Sequence, residues 1–218
     1  MRPSKGAQIE RESMRIIEQE LRARGVVLPE ETAAVVRRVI HTTADFDYVE
    51  TLRFTKDAVA RGTAAMQEGA IVTDTNMALA GVNKSALRAL SATARCFMAE
   101  EDVAREAAER GETRAEVSMD RALALYEHPI LAVGNAPTAL LRIAERIEAG
   151  ARPALVIAVP VGFVNVVESK ERVLAACERH GVAAIVALGR KGGSGVAAAI
   201  CNALLYAATD RQDPETRL

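Results

Sequence analysis

The 218-residue chain is poor in aromatic side chains: Phe, Tyr and Trp make up 3% of it, and Trp is absent. That excludes an aromatic stacking platform for single-stranded nucleic acid. Net charge is missing as well. Twenty-eight Lys and Arg against 29 Asp and Glu leave a formal charge of −1, so no bulk field draws the chain to DNA or to an anionic bilayer. An anionic ligand must therefore be held by local basic residues. Cysteine is scarce and odd in number. Cys96, Cys177 and Cys201 are widely spaced with no CxxC or Cys/His cluster, which excludes a disulfide framework and a zinc site; Cys201, in an apolar run, is expected to be buried. The opening MRPSKGAQIERES has no apolar core of a secretory signal. The longest apolar stretch, 154–167, is broken by Pro160 and Gly162 and is too short to span a bilayer. The expectation is a cytoplasmic protein with neither nucleic acid nor membrane as partner.

What the chain does have is hydrophobic mass, 50% of residues, enough for one substantial α/β domain without a structural metal. From residue 70 onward, short apolar runs alternate with helix-length segments. Strands are expected at Ala70–Thr73, Ala94–Met98, Ile130–Val133, Ala154–Val159 and Ala183–Leu188. Apart from Arg95 and the terminal Thr73, each is a continuous apolar run, as a parallel strand covered on both faces should be. Helices are expected at Lys84–Leu90, Thr113–Glu127, Pro137–Ala149, Val164–His180 and Ser194–Ala207. Right-handed βαβ units then give a doubly wound parallel sheet with helices on both faces. Residues 1–69 read instead as an N-terminal helical part: Gln8–Arg24 stopped by Gly25, a second helix from Pro29 to about Thr42, and a third over Leu52–Gln67. No linker separates this part from the sheet-containing part, 70–208, so 1–218 is taken as a single domain. The tail, 210–218, is expected to be a solvated, mobile end.

In open parallel sheets the ligand site lies beyond the carboxyl ends of the strands. Three consecutive ends here open into Gly- or Pro-containing turns that lead into helices: Gly134-Asn135-Ala136-Pro137-Thr138, Pro160-Val161-Gly162-Phe163-Val164-Asn165, and Gly189-Arg190-Lys191-Gly192-Gly193-Ser194-Gly195. Free amides and positive helix ends attract carboxylates or phosphates, and Arg190 and Lys191 add side-chain charge. A single such loop is equally well a tight turn; three on one edge favour anion binding. GRKGGSG is neither a P-loop nor a GxGxxG fingerprint, and Ser194, flanked as GGSGV, is not a nucleophile elbow. On these grounds a dehydrogenase, a P-loop NTPase or an α/β-hydrolase is not expected. Asp74 and Asn76 follow the first strand and face the same edge, as ligand contacts or as plain helix caps.

Of three histidines, His180 in ERHGV reads as a helix-end residue beside its dipole, and His128 before Pro129 as structural or solvated. His41 ends RRVIH, with Arg38 one turn earlier and Thr42, Thr43, Asp45 and Asp47 following. Such neighbours suit a proton donor near neutrality; pattern alone leaves that open against a structural role.

These residues resemble the precorrin-8X methylmutase family (precorrin isomerases) along nearly the whole chain. The resemblance is carried by RRVIHTTADFDY, AIVTDTNMALAGV, GNAPTAL at 134–140, PVGFVNVVESKE at 160–171 and GRKGGSGVAAAICNAL at 189–204. It implies an α/β homodimer whose tetrapyrrole pocket is built by both subunits. It implies an isomerase moving a methyl group from C-11 to C-12, turning precorrin-8 into hydrogenobyrinic acid or cobalt-precorrin-8 into cobyrinic acid. No cofactor is implied, and cobalt, where present, belongs to the substrate. By the same resemblance His41 transfers the proton that eases a 1,5-sigmatropic shift, and Ser13, Arg38 and, more loosely, Arg114 meet the substrate. Asp74, Asn135, Gly162, Arg190, Gly192, Gly193 and Ser194 complete the expected substrate contacts from the loop edge, where peripheral carboxylates suit guanidinium groups and helix ends. The acidic and aromatic residues after His41 stand where aerobic members carry a smaller, glycine-containing stretch, which leans toward the cobalt-corrinoid branch. The rival readings are a non-catalytic corrinoid carrier and an unrelated α/β enzyme for a phosphorylated metabolite.

Overall fold

The computed structural model describes residues 4–210 and Pro214. Its chain order is α1 (Lys5–Ala23), α2 (Glu30–Thr43), α3 (Tyr48–Thr51), β1 (Leu52–Phe54), α4 (Ala58–Ala64), β2 (Ala70–Thr73), α5 (Asn76–Gly81), α6 (Lys84–Ala89), β3 (Thr93–Arg95), α7 (Glu101–Arg110), α8 (Arg114–Leu125), β4 (Ile130–Val133), α9 (Pro137–Glu148), β5 (Leu155–Ala158), α10 (Val166–His180), β6 (Ala184–Ala187) and α11 (Ser194–Ala208). Nearly all of the expected tail lies outside the described residues.

The six strands form one sheet in the order β1-β6-β5-β4-β2-β3. Strands β2 to β6 pair in parallel. The apolar runs explain the layering. Alternate residues of β4, β5 and β6 go to opposite faces, so that Ile130, Ala132, Leu155, Ile157, Ile185 and Ala187 join one core. Leu131, Val133, Val156, Ala158, Ala184 and Val186 join the other. Both faces need apolar cover, which is why these strands show no polar alternation. The first core is covered by α1, α2, α5, α6 and α11, the second by α7, α8, α9 and α10. Among the described residues no helix is long and apolar enough to cross a membrane.

The expected helix Leu52–Gln67 is a correction. Its first three residues are β1, paired antiparallel to β6 with Leu52 opposite Ala187 and Phe54 opposite Ile185; the helix proper, α4, starts at Ala58. The sheet is therefore mixed rather than purely parallel. Pairing overrides local helix preference here because β6 would otherwise present an open edge. The Thr55 N–H donates to Ala184 O at 3.0 Å, and Thr55 Oγ1 accepts from Ala184 N at 2.8 Å, extending the ladder. The strand expected at Ala94–Met98 is shorter and earlier, Thr93–Arg95, an exposed edge from which the chain turns to bury Phe97. Helices α3, α5 and α7 were not anticipated.

Two features of this topology place the site. Because β1 runs antiparallel, its start lies at the carboxyl end of β6, so the segment after α2 is carried to the loop edge. The chain moves outward from β2 to β3 and then back across to β4, which puts the topological switch between β2 and β4.

Candidate active site at the carboxyl edge of the sheet

The switch point is occupied by a buried carboxylate. Asp74, fully excluded from solvent, accepts from the backbone N–H groups of Gly134 (2.8 Å), Asn135 (2.8 Å) and Ala136 (2.7 Å). Burial pushes its carboxyl above the usual carboxylate range, while the amide donors pull the other way. Two expectations change here. Asp74 is not presented to a ligand; its oxygens are used inside the fold. The amides of GNAP are not free for an outside anion either, because an internal anion holds them. Helix capping on the β2 side falls to Thr75, whose Oγ1 accepts from Ala78 N at 3.0 Å, and Asn76 is exposed.

The amino end of α11 is seated on this loop. A Cβ on Gly134 would lie 2.8 Å from Ser194 Cα and 2.9 Å from Ser194 N, so glycine permits backbone-to-backbone approach. Ser194 Oγ and Thr75 Oγ1 share a hydrogen bond of 2.7 Å. On the other side, Gly193 N donates to Val159 O at 2.8 Å and Gly162 N to Arg190 O at 3.2 Å. At Gly192 (φ +159°) a Cβ would sit 2.1 Å from Val159 O. Gly134, Gly162, Gly192, Gly193 and Ser194 are thus brought together, joining the ends of β2, β4, β5 and β6 into one row. Asn135 stands exposed on it, its N–H taken by Asp74. Arg190 is exposed, with its guanidinium 5.4 Å from the centre of the Phe163 ring.

His41 lies in the last turn of α2, half-buried. That turn abuts the glycine row: Thr42 Cγ2 is 3.9 Å from where a Cβ on Gly195 would be. The chain then reverses at Ala44 (φ 54°), and Lys191 Nζ meets Asp45 Oδ2 and Asp47 Oδ2, each at 2.6 Å. The ammonium beside it holds Asp45 below the usual carboxylate range, and the two carboxylates raise Lys191. The acidic residues after His41 therefore clasp the GRKGG loop.

Arg38 pairs with Glu10 at 2.7 Å and lies over the Tyr206 ring at 5.3 Å. Ser13, one turn along α1 from Glu10, donates to Ile9 O. Arg114 opens α8; its Nη1 reaches Met98 O at 3.4 Å, and Thr113 beside it bonds Thr138 at 2.9 Å. These contacts do not bring Ser13 or Arg114 to the loops of the row. His180 ends α10 ahead of Gly181 (φ 67°), and His128 Nδ1 contacts Arg152 O.

Sequence reasoning missed Lys170. It is fully buried, and its Nζ donates to Gly189 O (2.8 Å) and Lys191 O (2.9 Å). Burial lowers its pKa to about 8. The signal was present: Val166, Lys170, Val173 and Cys177 form one apolar helical stripe interrupted by a lysine. Four of the exposed large hydrophobics, Met77, Val161, Phe163 and Val164, lie in the segments that follow β2 and β5 at this edge.

Comparison with known proteins agrees with this architecture. The family model described as precorrin-8X methylmutase matches residues 8–207. A cobalt-precorrin-8 methylmutase of Salmonella typhimurium is 45% identical over 175 residues, covering 79% of this chain and 80% of its own. A precorrin-8X methylmutase of Pseudomonas aeruginosa is 41% identical, covering 95% and 97%. The solved precorrin-8x methyl mutase of Thermus thermophilus superposes with a TM-score of 0.83 at 40% identity, covering 93% of this chain and 98% of that one. The chain belongs to the precorrin-8X methylmutase family, isomerases of cobalamin biosynthesis.

Proposed function

We propose that His41 is the proton donor of this isomerase and that the glycine row and its flanking arginines hold the macrocycle. In this reading the substrate, precorrin-8 or cobalt-precorrin-8, lies across the carboxyl edge of the sheet. His41 lends a proton to a ring nitrogen beside the migrating centre. The bond from the methyl carbon to C-11 breaks as the bond to C-12 forms, and the proton then returns to His41. Nothing is oxidised or reduced overall, so the step calls for no cofactor, and any cobalt is part of the substrate. The observation that carries this reading is the contact of the His41-bearing turn with the start of α11. It brings the turn that bears a histidine, a side chain suited to donating a proton near neutrality, against the start of α11, whose first amides have no side-chain cap. Arg38, Arg114 and Ser13 take peripheral carboxylates around the ring, where guanidinium groups bond in pairs.

A second subunit closes over the same edge in this proposal. Its support is the exposure of Met77, Val161, Phe163 and Val164, apolar surface suited to a flat macrocycle and to a partner chain. The cytoplasm is the proposed compartment.

The deciding experiment is an absorbance time course of the purified protein with precorrin-8 and with cobalt-precorrin-8, repeated with His41→Ala. The expected result is a spectral change at constant substrate mass, lost in the variant. The faster-reacting metal form identifies the natural substrate. Binding of corrinoid by the unaltered protein without isomerisation would overturn the reading in favour of a carrier.

A further inference from the structure

Two of the loops in the row are held from beneath by buried ions of opposite sign. Asp74 takes the donors of the 134–136 segment. Lys170 takes acceptors of the 189–191 segment, the carbonyls on either side of Arg190. The consequences for a ligand are opposite. Where the amides are drawn inward, the loop has none left for an anion. Where the carbonyls are drawn inward, the surface side of the loop is relieved of acceptors, and the side chains of Arg190 and Lys191 project outward, to the Phe163 ring and to Asp45 and Asp47. α11 begins shortly after this segment at Ser194, and its N-cap residue Gly193 puts no side-chain cap on its first amides.

We propose that Lys170 is a positioning residue for substrate binding: its buried ammonium turns the carbonyls of Gly189 and Lys191 away from the site and makes the 189–195 loop the anion-accepting member of the row. The proposal rests on the reading that the substrate's carboxylates lie along this edge. Lys170 acts in two separable ways. Two of its N–H groups fix the loop, and its charge adds to the positive field above it. The neutral amine retains two donors, so deprotonation removes the charge and leaves the geometry.

The surroundings make that charge titrate alone. Its pKa is lowered by burial, with no carboxylate acting on it. Helix α9, packed on α10, brings Glu145 and Glu148, which lie against Arg172 and Arg179; β6 is Ala184–Ala187 and brings no charged residue. The loop brings Arg190 and Lys191, and the latter is held well above its ordinary range by its two aspartates.

The test measures product affinity and steady-state kinetics between pH 6.5 and 9.5 for the unaltered enzyme, Lys170→Met and Arg190→Ala. In the unaltered enzyme, affinity is expected to be level below pH 8 and to weaken several-fold above it. Lys170→Met, which keeps the apolar stem, is expected to weaken binding about tenfold at pH 7, with the loss in KM rather than in kcat, and to flatten the pH profile. A purely structural lysine would lower the melting temperature of Lys170→Met and leave KM and the profile as they were; that result overturns the proposal. Should Lys170→Met fail to fold, a level profile of the unaltered enzyme across pH 8 overturns it equally. Arg190→Ala separates the two layers. Undiminished affinity in that variant removes the loop as a binding surface, whereas weakened affinity there with no change in Lys170→Met rejects Lys170 alone.

Discussion

Among the described residues, five polar ones are fully buried, Thr73, Asp74, Ser118, Ser169 and Lys170, and two of these carry a formal charge. Neither charge meets an opposite side chain; each is satisfied by backbone groups of a loop. Burying an ion is costly unless its hydrogen bonds are made, and at Lys170 the cost has a measurable sign. Its folded pKa of about 8 lies below the ordinary value of 10.5. Between these two pH values the unfolded chain holds the proton and the folded chain does not. Stability therefore rises with pH across that window, and the contribution is lost as pH falls through 8. Its full size is about 3 kcal/mol. Chemical denaturation at pH 7.5 and pH 10 should show this rise for the unaltered protein relative to Lys170→Met, and equal shifts in both would rule it out. The same proton has opposite effects on fold and proposed function, since losing it stabilises the chain and weakens the anion site.

At the scale of elements, the site depends on how closely the start of α11 approaches the loop after β4. Gly134 is informative because it needs no special backbone angle, and its lack of a side chain serves only the contact with Gly193 and Ser194. Gly134→Ala would push backbone against backbone, with a cost of roughly 1–3 kcal/mol. The variant is expected to fold with a lowered melting temperature and to lose at least about tenfold in kcat/KM, because α11 carries the glycine row away from the turn of α2 that bears His41. Activity unchanged in the presence of lowered stability would separate the two elements functionally. This is also the scale at which sequence reading was least complete. β4, β5, β6 and α9 were legible because doubly covered strands and amphipathic helices repeat a pattern along the chain. β1 was not, because three residues that read as a helix start became an edge strand only when β6 offered them a ladder.

For the molecule as a whole, the exposure of Met77, Val161, Phe163 and Val164 beside charged loops bears on the proposed homodimer. Sedimentation of the purified protein should return a dimer mass. Phe163→Asp should move the population toward monomer and lower corrinoid affinity in step, and a monomer of full activity would remove the second subunit from the site. Among the described residues, the two cores on either side of the sheet account for the rigidity such a site needs, since the loops extend from strands packed on both faces.

By itself the sequence determined the α/β class, the burial of the central strands and the glycine-rich row, because hydrophobic periodicity and strand-end turns are local properties. It also placed His41 at a helix end, next to the residues that turned out to clasp the neighbouring loop. Only the tertiary structure decided where the charges of the site go. Asp74 had the look of a ligand contact and became an internal anchor, while Lys170 lay unnoticed in an apolar stripe and became its counterpart. The partners of both are backbone groups about 60 and 20 residues away, and a polar residue's role is set by what long-range packing leaves for it to bond.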